Sequence, residues 1–209
     1  MNAIAKEGYP YIIIFAATTI VALLLGGKWM VIAPFVITAF MFYFFRDPER
    51  KIPEGEGLFV SPADGKIILI KDVFEKEHLK ADVKEISIFM SPFNVHVNRA
   101  PCDGKIKNIQ HNKGKFMAAY KDQASFKNEN IEMTLETKYG DILVRQVAGY
   151  VARRAVCRAN TGDSLRRGER YGIIKFSSRL DVYLPKETAI KVKLGDKVKA
   201  GETVIGVIE

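Results

Sequence analysis

The chain has 209 residues, 48% hydrophobic and 27% charged, with 32 Lys and Arg against 24 Asp and Glu for a net charge of +8. That size fits one globular domain with an appendage, and the ordinary composition excludes a low-complexity or disulfide-framework protein. The positive excess calls for an anionic partner, nucleic acid or anionic lipid. The two cysteines, Cys102 and Cys157, lie far apart and in no metal spacing. They read as free thiols in a reducing compartment.

Apolar residues are concentrated in the first 45 positions. Residues 9–25 and 29–45 form two apolar runs of 17 residues, separated by Gly26, Gly27 and Lys28. Each is at the short end for a membrane-spanning helix of about 20 residues. A signal peptide would need a basic start and a small-residue cleavage site; here Lys6 stands beside Glu7, and a second apolar run follows. The expectation is a helical hairpin that crosses twice or re-enters, with a single spanning helix beside an interfacial one as the alternative. Lys6, Arg46, Arg50 and Lys51 flank its ends, against Lys28 alone in the turn. Positive-inside bias then places both ends, and the domain that follows, on the cytoplasmic face of the cell membrane.

Pro48 ends the second helix, and a polar linker over 46–57 leads into a strand-and-turn pattern. Strands are predicted at 58–60 and 66–70, around the turn Pro62-Ala-Asp-Gly65. The charged stretch 75–84 reads as a loop or short helix. Alternation predicts a strand over 85–90, with 95–97 continuing it. Further strands follow at 105–111, 130–137 and 141–148, the last two joined by Tyr139-Gly140. Residues 149–159 fit a strand or a short helix. Ile173 and Ile174 enter the pair Ser177-Ser178, and Leu180, Val182 and Leu184 leave it. The tail over 190–208, with turns at Gly195-Asp196 and Ala200-Gly201, resembles half of a biotinyl/lipoyl barrel, and Pro62-Ala-Asp-Gly-Lys66 resembles the other half's turn. No modified-lysine tip is present, so the barrel is scaffold. The fold class is mainly β: a biotinyl/lipoyl-barrel-like domain behind an α-helical membrane hairpin.

No Gly-rich phosphate loop opens a helix, and no His or Cys pair has metal spacing. Arg145, Arg153, Arg154, Arg158, Arg166, Arg167 and Arg170 are either a solvated face or a clamp for phosphate or carboxylate. Aromatic residues are not interleaved with them as a nucleic-acid stacking platform requires. Anionic lipid is therefore the better partner. His78 reads as solvent-facing and His111 as a loop residue. His96 sits in Ser91-Pro-Phe-Asn-Val-His-Val-Asn-Arg99, a polar setting at a strand end that suits acid–base work. Asp64 occupies a tight turn, where aspartate is common for local reasons.

Taken in order, several segments resemble the short form of phosphatidylserine decarboxylase: Phe44-Phe-Arg-Asp-Pro48, Ser61-Pro-Ala-Asp-Gly65, Met90-Ser-Pro-Phe-Asn-Val-His-Val-Asn-Arg99, Asn128-Glu-Asn130, Gln146-Val-Ala-Gly-Tyr-Val-Ala-Arg-Arg154 and Arg170-Tyr-Gly-Ile-Ile-Lys-Phe-Ser-Ser-Arg-Leu-Asp181. The resemblance covers residues 42–209. It implies a proenzyme in which the Ser178 hydroxyl attacks the preceding carbonyl, an N-to-O acyl shift gives an ester, and β-elimination leaves a dehydroalanine that hydrolyses to a pyruvoyl group. The products are a β-chain, 1–177, and an α-chain, 178–209, paired as a heterodimer that can assemble further. The covalent pyruvoyl cofactor then forms a Schiff base with phosphatidylserine, CO2 departs, and phosphatidylethanolamine is released. On this reading 1–45 is the membrane hairpin, 46–57 the linker and 58–209 the decarboxylase domain. His96 and Asp64 take supporting roles, and Arg153 and Arg154 bind substrate.

Two departures from the family pattern stand out. Ser177 replaces the usual glycine before the cleaved bond; if φ is positive there, a side chain costs about 1–2 kcal/mol. The pyruvoyl histidine decarboxylases resemble this arrangement in splitting a Ser-Ser bond. Arg99 stands where longer relatives carry a second histidine. Other readings remain open: the same chemistry on an ether lipid with a serine headgroup, an uncleaved membrane-tethered β-barrel that binds anionic lipid without catalysis, or a basic nucleic-acid-binding domain.

Overall fold

The computed structural model describes residues 3–26, 28–114, 128–149, 155–175 and 178–209. The chain divides into two compact units, Met1–Glu49 and Arg50–Glu209.

The first unit is a helical hairpin. A 3-10 turn, Lys6–Gly8, enters α1 (Tyr9–Leu25), and a second, Lys28–Val31, enters α2 (Ile32–Phe44). Pro10 sits in the first turn of α1, where its missing N–H leaves no helical bond unmade. The hydroxyls interrupting the apolar runs are satisfied internally. Thr18 donates to the Ile14 carbonyl (2.6 Å), Thr19 to Phe15 (2.8 Å) and Thr38 to Pro34 (2.7 Å). Thr19 and Thr38 also meet across the hairpin at 3.0 Å. This internal bonding suits an apolar surrounding. The feet are laced together, Ala5 N–H to the Phe45 carbonyl and Asp47 N–H to Ala3, each at 2.8 Å. Both ends therefore emerge on one side. Among the described residues one helical segment, Lys6–Leu25, is long and apolar enough to cross a membrane. The 13-residue α2 extends about 20 Å, less than a hydrocarbon core of about 30 Å.

The second unit is mainly β, as the alternation indicates. In chain order its strands are β1 (Leu58–Val60), β2 (Gly65–Glu75), β3 (Ala81–Met90), β4 (Val97–Arg99), β5 (Gly104–Asn112), β6 (Asn130–Thr137), β7 (Gly140–Ala148), β8 (Ala155–Cys157), β9 (Ser164–Leu165), β10 (Arg170–Ile174), β11 (Ser178–Pro185), β12 (Ala189–Ile190), β13 (Lys197–Val198) and β14 (Val204–Val207). Eight form a curled sheet, a half-barrel, in the order β13-β2-β3-β11-β7-β6-β5-β9. Two three-stranded sheets, β1-β14-β12 and β4-β10-β8, accompany it.

The two motifs that resemble barrel halves pair with each other. Lys66 is in register with Lys197 and Gly65 with Val198. Ser61 N–H donates to the Thr203 carbonyl, and Gly201 N–H to Ser61, both at 2.8 Å. Gly65 is required by the close approach of β3 on its other side, because a Cβ there would collide with the Phe89 carbonyl.

Period-two alternation sets the core. Ile86, Ile88 and Met90 from β3, Ile131, Met133 and Leu135 from β6, Ile142 and Val144 from β7, and Leu180, Val182 and Leu184 from β11 form one apolar cluster. The opposite face of these strands is also buried, yet it carries Glu85, Ser87, Glu132, Arg145, Arg179, Asp181 and Tyr183.

Several local expectations need correction. The stretch 75–84 is neither a free loop nor a helix. β2 runs to Glu75 and β3 begins at Ala81, so the charges flank a hairpin tip. Val97 leaves the eight-stranded sheet and pairs with β10 instead of continuing β3. His111 lies within β5, opposite Ile131. Residues 155–157 settle as strand. Both cysteines are free, and burial pushes the Cys102 thiol up to about 12.

Candidate active site

Ser178 is the first residue of β11 and has no solvent exposure. It is in register with Met90 on β3 and Ala148 on β7. It therefore stands at the mouth of a central strand with a neighbour on each side. Its Oγ lies 3.4 Å from the Met90 Sδ. A thioether is a weak acceptor, so among the described residues no strong bond ties the hydroxyl down. Ala148 is fixed from its far side: Asn128 Nδ2 donates to its carbonyl at 2.7 Å, and its N–H donates to the Glu129 carbonyl at 2.9 Å.

Met90 leads into a polar turn that ends at His96. Asn94 Oδ1 accepts from the Ser91 N–H (2.9 Å) and the Ser91 hydroxyl (2.7 Å), and the Asn94 N–H donates to the Ser91 carbonyl (3.0 Å). The Asn94 carbonyl faces His96 Nδ1 at 2.9 Å. A carbonyl only accepts, so Nδ1 carries the proton and a neutral His96 keeps its lone pair on Nε2. His96 is fully buried, and its carbonyl accepts from the Ile174 N–H at 3.3 Å. Residues 90–96 thus span the two ends of the 174–178 connection: Met90 faces Ser178, and His96 holds Ile174.

Behind this turn lies a chain of buried amides. Asn98 Nδ2 approaches the Met90 Sδ at 3.9 Å, and Gln146 Nε2 donates to Asn98 Oδ1 at 2.8 Å. Gly172 makes room for it, since a Cβ there would press on Gln146 Nε2 and the Val156 carbonyl. Asn98 belongs to the polar setting read around His96, whereas Gln146 and Met90 were not singled out from the sequence. The readable signal is an amide on the apolar face of a strand, as at Gln146, which alternates with Ile142, Val144 and Ala148.

Asp64 is placed differently from what a serine–histidine–aspartate arrangement requires. Arg50 Nη2 donates to both its oxygens, at 3.0 and 2.8 Å, and the Ala200 N–H donates to Oδ1 at 2.7 Å. Among the described residues these are its hydrogen bonds, and neither His96 nor Ser178 is one of them. Arg99, at the position of a second histidine, donates from Nη1 to the Gly168 carbonyl at 2.8 Å. Ser177, Arg153 and Arg154 lie outside the described residues.

Among the described residues, Arg145 does not belong to an exposed clamp. Arg145 is buried and pairs through Nε with Glu132 and through Nη1 with the Tyr183 hydroxyl (2.7 Å). Its neighbour on the same face, Arg179, binds Asp181 and Ser87 (2.7 Å) and approaches Glu85 at 3.4 Å. Burial works against the charge on both arginines, but the Tyr183 and Glu132 oxygens around Arg145, and Asp181 and Glu85 around Arg179, outweigh it and hold both pKa values above the usual range. Glu85 moves the other way. Burial, then the charge of Asp181, raises its carboxyl above the usual range despite Lys71 and Arg179. His78 is not solvent-facing either: its Nε2 lies 2.9 Å from Glu132 Oε2.

The family model for phosphatidylserine decarboxylase matches residues 37–206. Similar proteins include one from Citrifermentans bemidjiense, 51% identical over 98% of this chain and 96% of its own length. Others come from Syntrophus aciditrophicus (48% identical, 97% and 96%) and Desulfotalea psychrophila (45%, 98% and 96%). All three are called phosphatidylserine decarboxylase proenzyme. With a match over most of its length and near-full-length relatives at this identity, the chain belongs to the phosphatidylserine decarboxylase family.

Proposed function

We propose that this chain decarboxylates phosphatidylserine to phosphatidylethanolamine in phospholipid biosynthesis, using a pyruvoyl group made from its own Ser178. The observation that carries the reading is the seat of Ser178: a buried serine opening a central strand, directly after a connection held at both ends, in a chain of this family.

The residues around Ser178 suit the conversion. Forming a pyruvoyl group removes Oγ and leaves a methyl carbon in place of the serine Cβ. Among the described residues the neighbour that loses contact is the Met90 thioether, so none of them is left as a stranded strong hydrogen-bond partner. In the precursor the Ser178 hydroxyl adds to the Ser177 carbonyl, and the link between them passes from amide to ester. β-Elimination then separates 1–177 from 178–209. His96, with its lone pair directed to Nε2, is the base we assign to the hydroxyl proton. Asp64 supports the site by bracing the 61–65 turn against Arg50 and the tail.

When present, the pyruvoyl group supplies a ketone for the substrate amine and an acceptor for the electrons left by CO2. The chain's own residues position the lipid and handle protons. Arg153 and Arg154 are assigned to the anionic headgroup on the strength of their guanidinium chemistry. The apolar hairpin tethers the enzyme to the cell membrane, with the catalytic domain on the cytoplasmic side by the positive-inside bias.

The direct test is incubation of the purified full chain with vesicles containing phosphatidylserine. Equimolar release of CO2 and phosphatidylethanolamine is expected. Vesicle binding without either product would contradict the proposal and support a lipid-binding barrel.

A further inference from the structure

On the sheet face opposite Ser178, the side chains of Glu77, His78 and Glu132 bring ligand atoms within 4.8 Å of one another. They come from the β2–β3 hairpin tip and from β6, which are separated in the sheet by β3, β11 and β7. The tip therefore folds across the sheet to reach Glu132.

Both sides of the cluster are held in place by neighbouring groups. Glu75 accepts the backbone N–H groups of Glu77 (3.2 Å), His78 (2.8 Å) and Leu79 (2.7 Å), which fixes the tip. Glu132 is oriented by Arg145 on Oε1 and by Asn112 Nδ2 on Oε2 at 2.7 Å. Such outer partners aim the ligands of metal sites. Beside the cluster lies a cavity of about 330 Å³ whose lining includes Glu75, Glu77 and Arg145. It has room for the waters that complete a coordination shell.

The His78–Glu132 contact is 2.9 Å between Nε2 and Oε2. Without a metal, a proton must sit between these atoms, because a carboxylate only accepts. Two ligands of one ion need nearly the same spacing: donors about 2.0–2.2 Å from a metal lie roughly 3.0–3.5 Å apart, so the pair has to open by only a few tenths of an ångström. An imidazole with two carboxylates suits a first-row divalent ion such as Zn2+ better than Ca2+ or Mg2+, which take oxygen ligands.

We propose that Glu77, His78 and Glu132 bind one divalent transition-metal ion, of the Zn2+ class, which staples the hairpin tip to β6. On binding, the His78 proton moves from Nε2 to Nδ1, and the metal takes its place between imidazole and carboxylate. The site lies on the other face of the sheet from Ser178, so its test is independent of the decarboxylase reading.

The experiment uses the untagged full chain in detergent, stripped with a chelator and titrated with Zn2+, and with Co2+ as a visible probe. One equivalent per chain is expected, with a Tm rise of roughly 5 °C at saturation. Glu77→Gln alters an exposed side chain, and His78→Ala truncates a largely buried imidazole at the hairpin tip that is not part of the apolar core cluster, so both should fold. Each should weaken binding at least tenfold and abolish the Tm rise. Glu132→Gln is avoided because it would disturb the Arg145 pair. Stoichiometric binding unchanged in His78→Ala, or no Zn2+ binding at up to 100-fold molar excess, would overturn the proposal.

Discussion

Ser178 and Met90 face each other across the β11–β3 ladder, with the serine Oγ 3.4 Å from the methionine Sδ. On the proposed pyruvoyl chemistry, the residue that loses its hydroxyl is thereby buried against an atom that binds the hydroxyl only weakly. Met90→Leu conserves volume and should lower stability by less than about 1.5 kcal/mol, with self-cleavage kept within about tenfold of wild type. Met90→Ala opens a cavity in the core and should lower stability by about 2–5 kcal/mol. Thermal unfolding and the cleavage half-time check both. Cleavage abolished by Met90→Leu at unchanged stability would give the sulfur a larger role than a soft neighbour.

His96 should be needed for proton transfer and not for folding alone. His96→Gln leaves an amide near the Asn94 carbonyl but removes the base. Cleavage or turnover should fall by about 100-fold or more, with the loss of one limb of the pH–rate profile. An unchanged profile with only a lower Tm would reduce His96 to a structural residue.

Asp64 is expected to act through the fold. Asp64→Asn keeps an oxygen for the Ala200 N–H but removes the charge facing Arg50. It should lower stability by about 2 kcal/mol or more, while the cleaved fraction at low temperature stays near wild type. Lost cleavage at an unchanged Tm would assign Asp64 a direct part in the chemistry.

Glu85 gives a pH-dependent signature. Its folded-state pKa is raised, first by burial and then by Asp181. Its contribution to stability is therefore fully present below the ordinary glutamate value and is lost as pH rises through the folded value. Glu85→Gln removes this titration. The Tm difference, variant minus wild type, should become more positive between pH 4 and pH 7. A difference that stays flat or falls would contradict the sign of the shift.

The course of the β domain was legible because alternation marks a half-buried strand. Leu180, Val182 and Leu184 pointed to the core, and Ser177-Ser178 stood at the strand's mouth. The hairpin tip at 75–80 was not legible. Its charges suggested a solvated loop, whereas Glu75 turns inward to cap three backbone N–H groups. Arg145 misled for a related reason. Charge in sequence does not reveal a cross-strand partner, and Glu132 opposes Arg145 only once β6 and β7 are in register. The Asn98–Gln146 contact joins residues 48 positions apart, and no local spacing encodes it. Ser178 and His96 could be named from their motifs, but the turn that ties His96 to Asn94 and Ile174 needed coordinates.

The central claim is that Ser178 becomes the blocked N-terminus of a separate chain. Denaturing mass spectrometry of the purified wild-type protein tests it most directly. The account predicts a 32-residue fragment, 178–209, with the mass of a pyruvoyl terminus. It also predicts an intact chain in Ser178→Ala. Intact wild-type chain alone, or cleavage that persists in Ser178→Ala and is lost in Ser177→Ala, would contradict it.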